Sequence, residues 1–218
     1  MKYKGQAEQD RFVINVLKFK RNGFFLEIGS EQPQYGNNTY LLEKEYGWRG
    51  IMVEWNATYL PQYKAERPNS IHIMNNATLI NYKKLFEDHD VPLDVDYLQI
   101  DLEVSNGSTL ETLNKIENQV MDKYRFAVVT FEHDIYTSNY LDTRVESRKV
   151  FDRQGYVRVF ADIKNDDNPY EDWYVHPSLV DMDYIGRLQD LNKEKYSPHD
   201  SCGESIGWYE LEYETPKL

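Results

Sequence analysis

The chain of 218 residues carries one cysteine, Cys202. A lone thiol excludes an internal disulfide framework and any cysteine-based zinc site. No apolar run approaches the roughly 20 residues needed to span a bilayer. Met1 to Asp10 is polar and lacks the apolar stretch of a secretory signal. Together these absences predict a cytoplasmic protein with no membrane span. Positive charge is scarce as well, with 25 Lys and Arg against 37 Asp and Glu and a net charge of −12. Such a chain repels a phosphate backbone, which argues against nucleic acid as a partner.

Apolar residues make up 40% of the chain and aromatics 14%, enough to build a core, and the length suits one α/β domain. Tyrosine is abundant at 18 residues. Its apolar ring and polar tip suit both a core rim and polar ligands such as sugars.

Five short apolar runs stand out: Gly23 to Gly29, Gly50 to Glu54, Ile71 to Met74, Val95 to Asp101 and Phe126 to Glu132. They are continuous rather than strictly alternating, which predicts parallel strands covered on both faces. Helical patterns lie between them. Asn38 and Thr39 precede Leu41, Leu42 and Tyr46 and predict a capped helix ending near Gly47. Ser108 and Glu111 have capping-box spacing ahead of Leu110, Leu113, Ile116 and Val120. Tyr140 to Arg153 is a further helix stopped by Gly155, followed by strands over Tyr156 to Phe160 and Tyr170 to His176 and a turn between them at Asn165 to Asn168. This order predicts a doubly wound, mostly parallel α/β sheet with helices on both faces. We expect residues 1–177 to form the domain and residues 178–218 a C-terminal extension packed on it. Within that extension we expect a helix over Leu179 to Lys193, a loop over Tyr196 to Gly207 and a short strand over Trp208 to Tyr213.

Ligands of open α/β sheets bind beyond the carboxyl ends of the strands. Here those ends read Glu27-Ile28-Gly29, Glu54-Trp55-Asn56, Asn75-Asn76-Ala77, Asp101-Leu102-Glu103 and Glu132-His133-Asp134. Polar or acidic groups close all five. The first loop has Gly29 and then Gly36, without the three-glycine dinucleotide fingerprint. A ligand without a pyrophosphate, such as S-adenosylmethionine, does not need that fingerprint. Glu54 ends the second strand 25 positions after Gly29, where an acid can accept both hydroxyls of a ribose; a helix cap or a surface acid is the plainer alternative.

Several segments, taken in order, resemble the FkbM-type methyltransferases. They are Gly5-Gln6, Gln9 to Val13, Asn22 to Gly29, Asn38 to Glu43, Tyr46 to Glu54, Asp96 to Glu103 and Glu171-Asp172-Trp173. Two places depart from the family pattern. The first loop, Ser30 to Asn37, replaces a small Asp-Gly loop, and Val104 stands where Asp-x-Glu is followed by glycine. The resemblance implies a class I, Rossmann-like methyltransferase fold using S-adenosylmethionine, with methylation of hydroxyls on sugars, polyketides and related acceptors. By the same resemblance Glu27, Gly29 and Ser30 lie by the methionine part of the cofactor, with Asn38 and Thr39 capping the helix near it. Glu54 holds the ribose, Trp55 or Asn56 lies beside the adenine, and Asn76 and Ala77 bracket its edge.

Methyl transfer to a hydroxyl needs alignment and a proton acceptor. Asp101, Glu103, Glu132 and His133 end neighbouring strands and are the candidate bases, with Asp101 and His133 leading. Asp101, Glu132 and Asp134 could also hold Mg²⁺ through oxygen ligands. The expected acceptor is a neutral small molecule or glycan. Two other readings fit the same residues: a metal-dependent hydrolase on the acidic strand ends, and a non-catalytic carbohydrate-binding domain.

Overall fold

The apolar runs become the strands of one sheet in the computed structural model, which describes residues 3–137, 140–165 and 168–195. The strands are β1 (Phe24–Ile28), β2 (Arg49–Glu54), β3 (Ile71–Met74), β4 (Asp94–Ile100), β5 (Arg125–Glu132), β6 (Val157–Asn165) and β7 (Asn168–Val175). The helices are α1 (Gln9–Val16), α2 (Tyr40–Tyr46), α3 (Leu60–Glu66), α4 (Tyr82–Asp88), α5 (Ser108–Val120), α6 (Leu141–Arg153) and α7 (Met182–Lys195). Cys202 and the expected loop and strand beyond Tyr196 lie outside the described residues.

The strand order is β3-β2-β1-β4-β5-β7-β6. β1 to β5 pair in parallel, while β7 runs antiparallel to both β5 and β6. Chain order reverses between β1 and β4, which opens a crevice above their carboxyl ends. Each face of the sheet has its own core. Leu26, Ile28, Val53, Leu98, Ile100, Val129 and Phe131 pack against α4, α5 and α6. Phe25, Met52, Tyr97, Val128 and Trp173 pack against α1, α2, α7 and Tyr63 of α3. Strands apolar on both faces are what two helical layers require.

Local details depart from the sequence reading. Ser108 is the first helical residue of α5, not its cap, and its Oγ donates to the Glu103 carbonyl at 3.0 Å. The capping box is therefore not formed. Thr39 precedes α2 but caps nothing with its side chain; its Oγ1 accepts from Arg67 at 2.7 Å. β6 runs five residues past Phe160, through register shifts that keep it paired to β7. The helix expected from Leu179 begins at Met182 and buries Tyr184 and Ile185.

Candidate active site

The carboxyl ends of β1 to β5 line one cleft of about 670 Å³. Gly29 follows β1, Glu54, Trp55 and Asn56 come from the end of β2, and Asn75, Asn76 and Ala77 follow β3. Asp101, Leu102 and Glu103 follow β4, and Glu132 and Asp134 come from the end of β5.

Gly29 is there because nothing larger fits. Its backbone is left-handed (φ 85°), and a Cβ would sit 1.6 Å from the Asp101 carbonyl oxygen. The first loop thus crosses directly against the end of β4. Glu54 is held from two sides, its Oε2 accepting from the Glu31 amide at 3.0 Å and its Oε1 from the Asn56 amide at 2.8 Å. Both bonds come from backbone, so the carboxylate is fixed and keeps lone pairs for a ligand. Trp55 is 75% exposed at the rim. Asn56 and Asn76 use their Oδ1 atoms to cap the short turns that follow, accepting from Thr58 and Thr78.

On the β4 and β5 side three carboxyls meet. Burial raises Asp101, and burial together with Asp101 raises Glu132 far above the ordinary carboxyl range. Burial and then Asp101 raise Asp134. Like charges this close share protons and titrate as a group. Glu103 is exposed and pulled slightly down by the hydrogen bond from Ser105.

Not every residue read from the sequence reaches the cleft. Glu27 is buried below Gly29, with Oε2 accepting from Asn37 at 3.1 Å and Oε1 without a partner. Burial raises its carboxyl, against the pull of Arg67. Ser30, Asn38 and Thr39 are buried in the loop after β1, outside the lining. His133 is 0% exposed and sits in a charge network between β5, β7 and α6. Its Nε2 lies 3.4 Å from Asp172 and 3.5 Å from Asp162, and its Nδ1 accepts from the Ile135 amide at 3.3 Å. The structure therefore brings Asp101, Glu103 and Glu132 to the cleft and leaves His133 behind it. Among the described residues, a further group whose ligand atoms all lie within 4.8 Å of one another is His133, Asp162 and Asp172, which the sequence reading did not name as a metal set. Both aspartates of that set are already neutralised by Arg144 and Arg148.

Lining residues to which the sequence reading gave no site role include Gln6, Glu31, Tyr59 and Asn106. The support of the first loop was not read from the sequence either. Arg67, 0% exposed, donates to Glu43, Asn37, Thr39 and the Pro33 carbonyl at 2.7–3.2 Å. Five donors in a fixed fork let one guanidinium tie a loop, a helix start and a second helix together.

No protein-family model matches the chain, and no curated protein does. The FkbM-type resemblance therefore rests on the residues quoted above. Solved structures do match. A TehB-like SAM-dependent methyltransferase from Corynebacterium glutamicum is 13% identical over 77% of this chain and 87% of its own, with a TM-score of 0.50. The METTL16 methyltransferase domain is 13% identical over 81% and 68%, also at 0.50. A protein of the NADB-Rossmann superfamily from Streptococcus agalactiae is 14% identical over 87% and 77%, again at 0.50. At this identity the likeness is one of fold, and with the strand order above it establishes a Rossmann-like class I methyltransferase fold for this chain.

Proposed function

We propose that the chain is an S-adenosylmethionine-dependent methyltransferase acting on a hydroxyl of a sugar, glycan or similar small hydroxylated acceptor. The observation that carries the cofactor assignment is Glu54: a carboxylate fixed by two backbone amides at the end of β2, facing a cleft beside Gly29. The residues fit such a ligand. Glu54 can accept from ribose hydroxyls, with Trp55, Asn56, Asn76 and Ala77 around the base. The methionine part would lie along Gly29, where the first loop crosses the end of β4 at the cleft. Two of the three named fold neighbours are methyltransferases, and the FkbM-type residues favour a hydroxyl acceptor.

Bound cofactor supplies a methyl group on a sulfonium, a good leaving group. The protein has to orient the acceptor oxygen and take its proton. Asp101 and Glu132, at the ends of adjacent strands, are placed to do so. With the cofactor bound, this carboxyl pair would take the hydroxyl proton as the acceptor oxygen is methylated. A carboxylate whose pKa is raised is a better base than one at its ordinary value. His133 has its Nε2 turned to Asp172 and Asp162 and takes no part in this step.

Calorimetry with S-adenosylhomocysteine tests the assignment. Glu54→Ala should lose roughly 1.5–3 kcal/mol of binding, a ~10- to 150-fold rise in Kd. Its circular dichroism should stay unchanged. Wild-type protein that does not bind this ligand would overturn the reading, and an unchanged Kd in the variant would remove Glu54 from the site.

A further inference from the structure

We propose that Tyr63 is a positioning residue for the cofactor: acting through the backbone of Glu31, it sets the Glu54 carboxylate against the ribose. This rests on the methyltransferase reading above and deepens the same site.

The first loop leaves β1 along the end of β2 through three consecutive amides. Those of Gly29 and Ser30 donate to the Val53 carbonyl at 2.9 and 3.3 Å, and that of Glu31 donates to Glu54 Oε2 at 3.0 Å. Glu31 therefore supplies one of the two backbone bonds that fix Glu54. Its own backbone is left-handed, at φ 44°. A residue with a side chain keeps that conformation only where its surroundings impose it. The bond to Glu54 holds the amide side of Glu31. The carbonyl side is held by Tyr63, whose hydroxyl donates to the Glu31 oxygen at 2.5 Å.

The Tyr63 hydroxyl is itself kept in place. The residue lies in α3 and is 0% exposed. Its ring stacks on that of Tyr59, which lines the cleft, with centroids 6.2 Å apart, and meets the His72 ring at 5.4 Å. A ring locked by packing delivers its polar tip to one point. Burial first, then the Glu27 and Glu54 carboxylates, hold the phenol well above its ordinary range, so it stays a donor. Arg67 follows one turn later, on the same face of the helix. It ties the far part of the loop at the Pro33 carbonyl and Asn37, at 3.2 and 2.8 Å. The loop thus has two ties from one helix end. Loss of the Tyr63 hydroxyl leaves the Arg67 tie and the aromatic packing intact, and frees the stretch at Glu31 that touches Glu54.

The test is a double-mutant cycle on the full chain, with S-adenosylhomocysteine as the titrant. Tyr63→Phe removes only the hydroxyl. It should raise Kd roughly 3- to 10-fold in the wild-type background, with circular dichroism unchanged. In the Glu54→Ala background the same change should raise Kd less than about twofold, because the group it positions is gone. A general loosening of the fold would cost the same in both backgrounds. A second measurement needs no ligand: exchange of the Glu31 amide, followed by NMR, should quicken about 3- to 10-fold in Tyr63→Phe. An unchanged Kd in Tyr63→Phe, an equal loss in both backgrounds, or an unchanged Glu31 exchange rate overturns the proposal. Wild-type protein that does not bind S-adenosylhomocysteine overturns the methyltransferase reading instead, and the exchange rate then decides by itself whether Tyr63 holds the loop.

Discussion

Replacing Gly29 by alanine tests whether the close crossing of two backbones holds the cleft in shape. The Gly29 amide donates to the Val53 carbonyl at 2.9 Å, and the Asp101 amide donates to the Ile28 carbonyl at 3.0 Å. A methyl group at residue 29 would fall 1.6 Å from the Asp101 oxygen, so the ends of β1 and β4 must part. A side chain in left-handed backbone costs roughly 1–2 kcal/mol. Losing one of the buried backbone bonds adds about 1–3 kcal/mol. The total, about 2–5 kcal/mol, lowers Tm by roughly 5–15 °C in a chain of this size. Gly36 is the control: its φ is 69°, but no atom lies within 4 Å of its Cβ position. Gly36→Ala should therefore show the backbone term alone, roughly 2–8 °C. Differential scanning calorimetry of both variants decides the matter, with S-adenosylhomocysteine affinity as a second readout. Should the two variants melt together, the crossing does not constrain the site and the reasoning fails.

Two further outcomes follow from the buried charges. Burial first, then Asp101, lifts the Glu171 carboxyl to about 8 against the hydrogen bonds from Trp173 and Gln9. The folded chain then holds a proton that the unfolded chain releases near pH 4.5, so this stability is full in acid and is lost as pH rises from about 4.5 to 8. Glu171→Gln keeps an acceptor for Trp173 and Gln9, and denaturant unfolding should show a flatter pH profile over that window, by a few kcal/mol at most; a profile as steep as wild type refutes it. Burial raises Asp172, but Arg148 and His133 outweigh it and hold the carboxyl below its ordinary range. Arg148→Met should cost about 3–5 kcal/mol at neutral pH, since Arg148 bonds Asp172 at 2.6 and 2.8 Å. The loss should shrink as pH falls below roughly 4, because the unfolded chain then takes up a proton that the folded wild type, with Asp172 held ionised, does not; a deficit that does not vary with pH points to packing instead.

The strands were legible because a parallel sheet between two helical layers needs apolar residues on both faces, and runs such as Phe24 to Ile28 and Phe126 to Phe131 satisfy that need locally. What failed was decided by distant partners. Thr39 has a capping residue's chemistry, yet Arg67, 28 positions away, takes its hydroxyl. Ser108 and Glu111 have the right spacing, yet the Glu103 carbonyl claims the serine. β6 outlasts its apolar run because Ile163, Lys164 and Asn165 pair with β7 across a hairpin. α3 and α4 are seven residues each, as is α2, but they end at Arg67 and His89 without the terminal glycine that marked α2.

The candidate site was legible to the extent that strand ends define it. Gly29, Glu54, Asn76, Asp101 and Glu132 all stand at the cleft, since a doubly wound sheet exposes the carboxyl ends of its strands at one edge. Loop contributions from Gln6, Glu31 and Tyr59 carry no such signal. The case of His133 turns on alternation. Glu27, Gln99 and Thr130 are in register across β1, β4 and β5. Two residues on come Gly29, Asp101 and Glu132, on the same face and at the cleft. His133 is one residue out of step, and its side chain enters the network beside Asp172 and Asp162. The chain then turns at Asp134, left-handed at φ 48°, and returns a carboxylate to the cleft. Acids thus reach the site by the parity of the sheet and by one turn, while the histidine goes to the support behind it. On the methyltransferase reading proposed above, that division would leave proton transfer to carboxyls whose pKa values their own crowding and burial have raised.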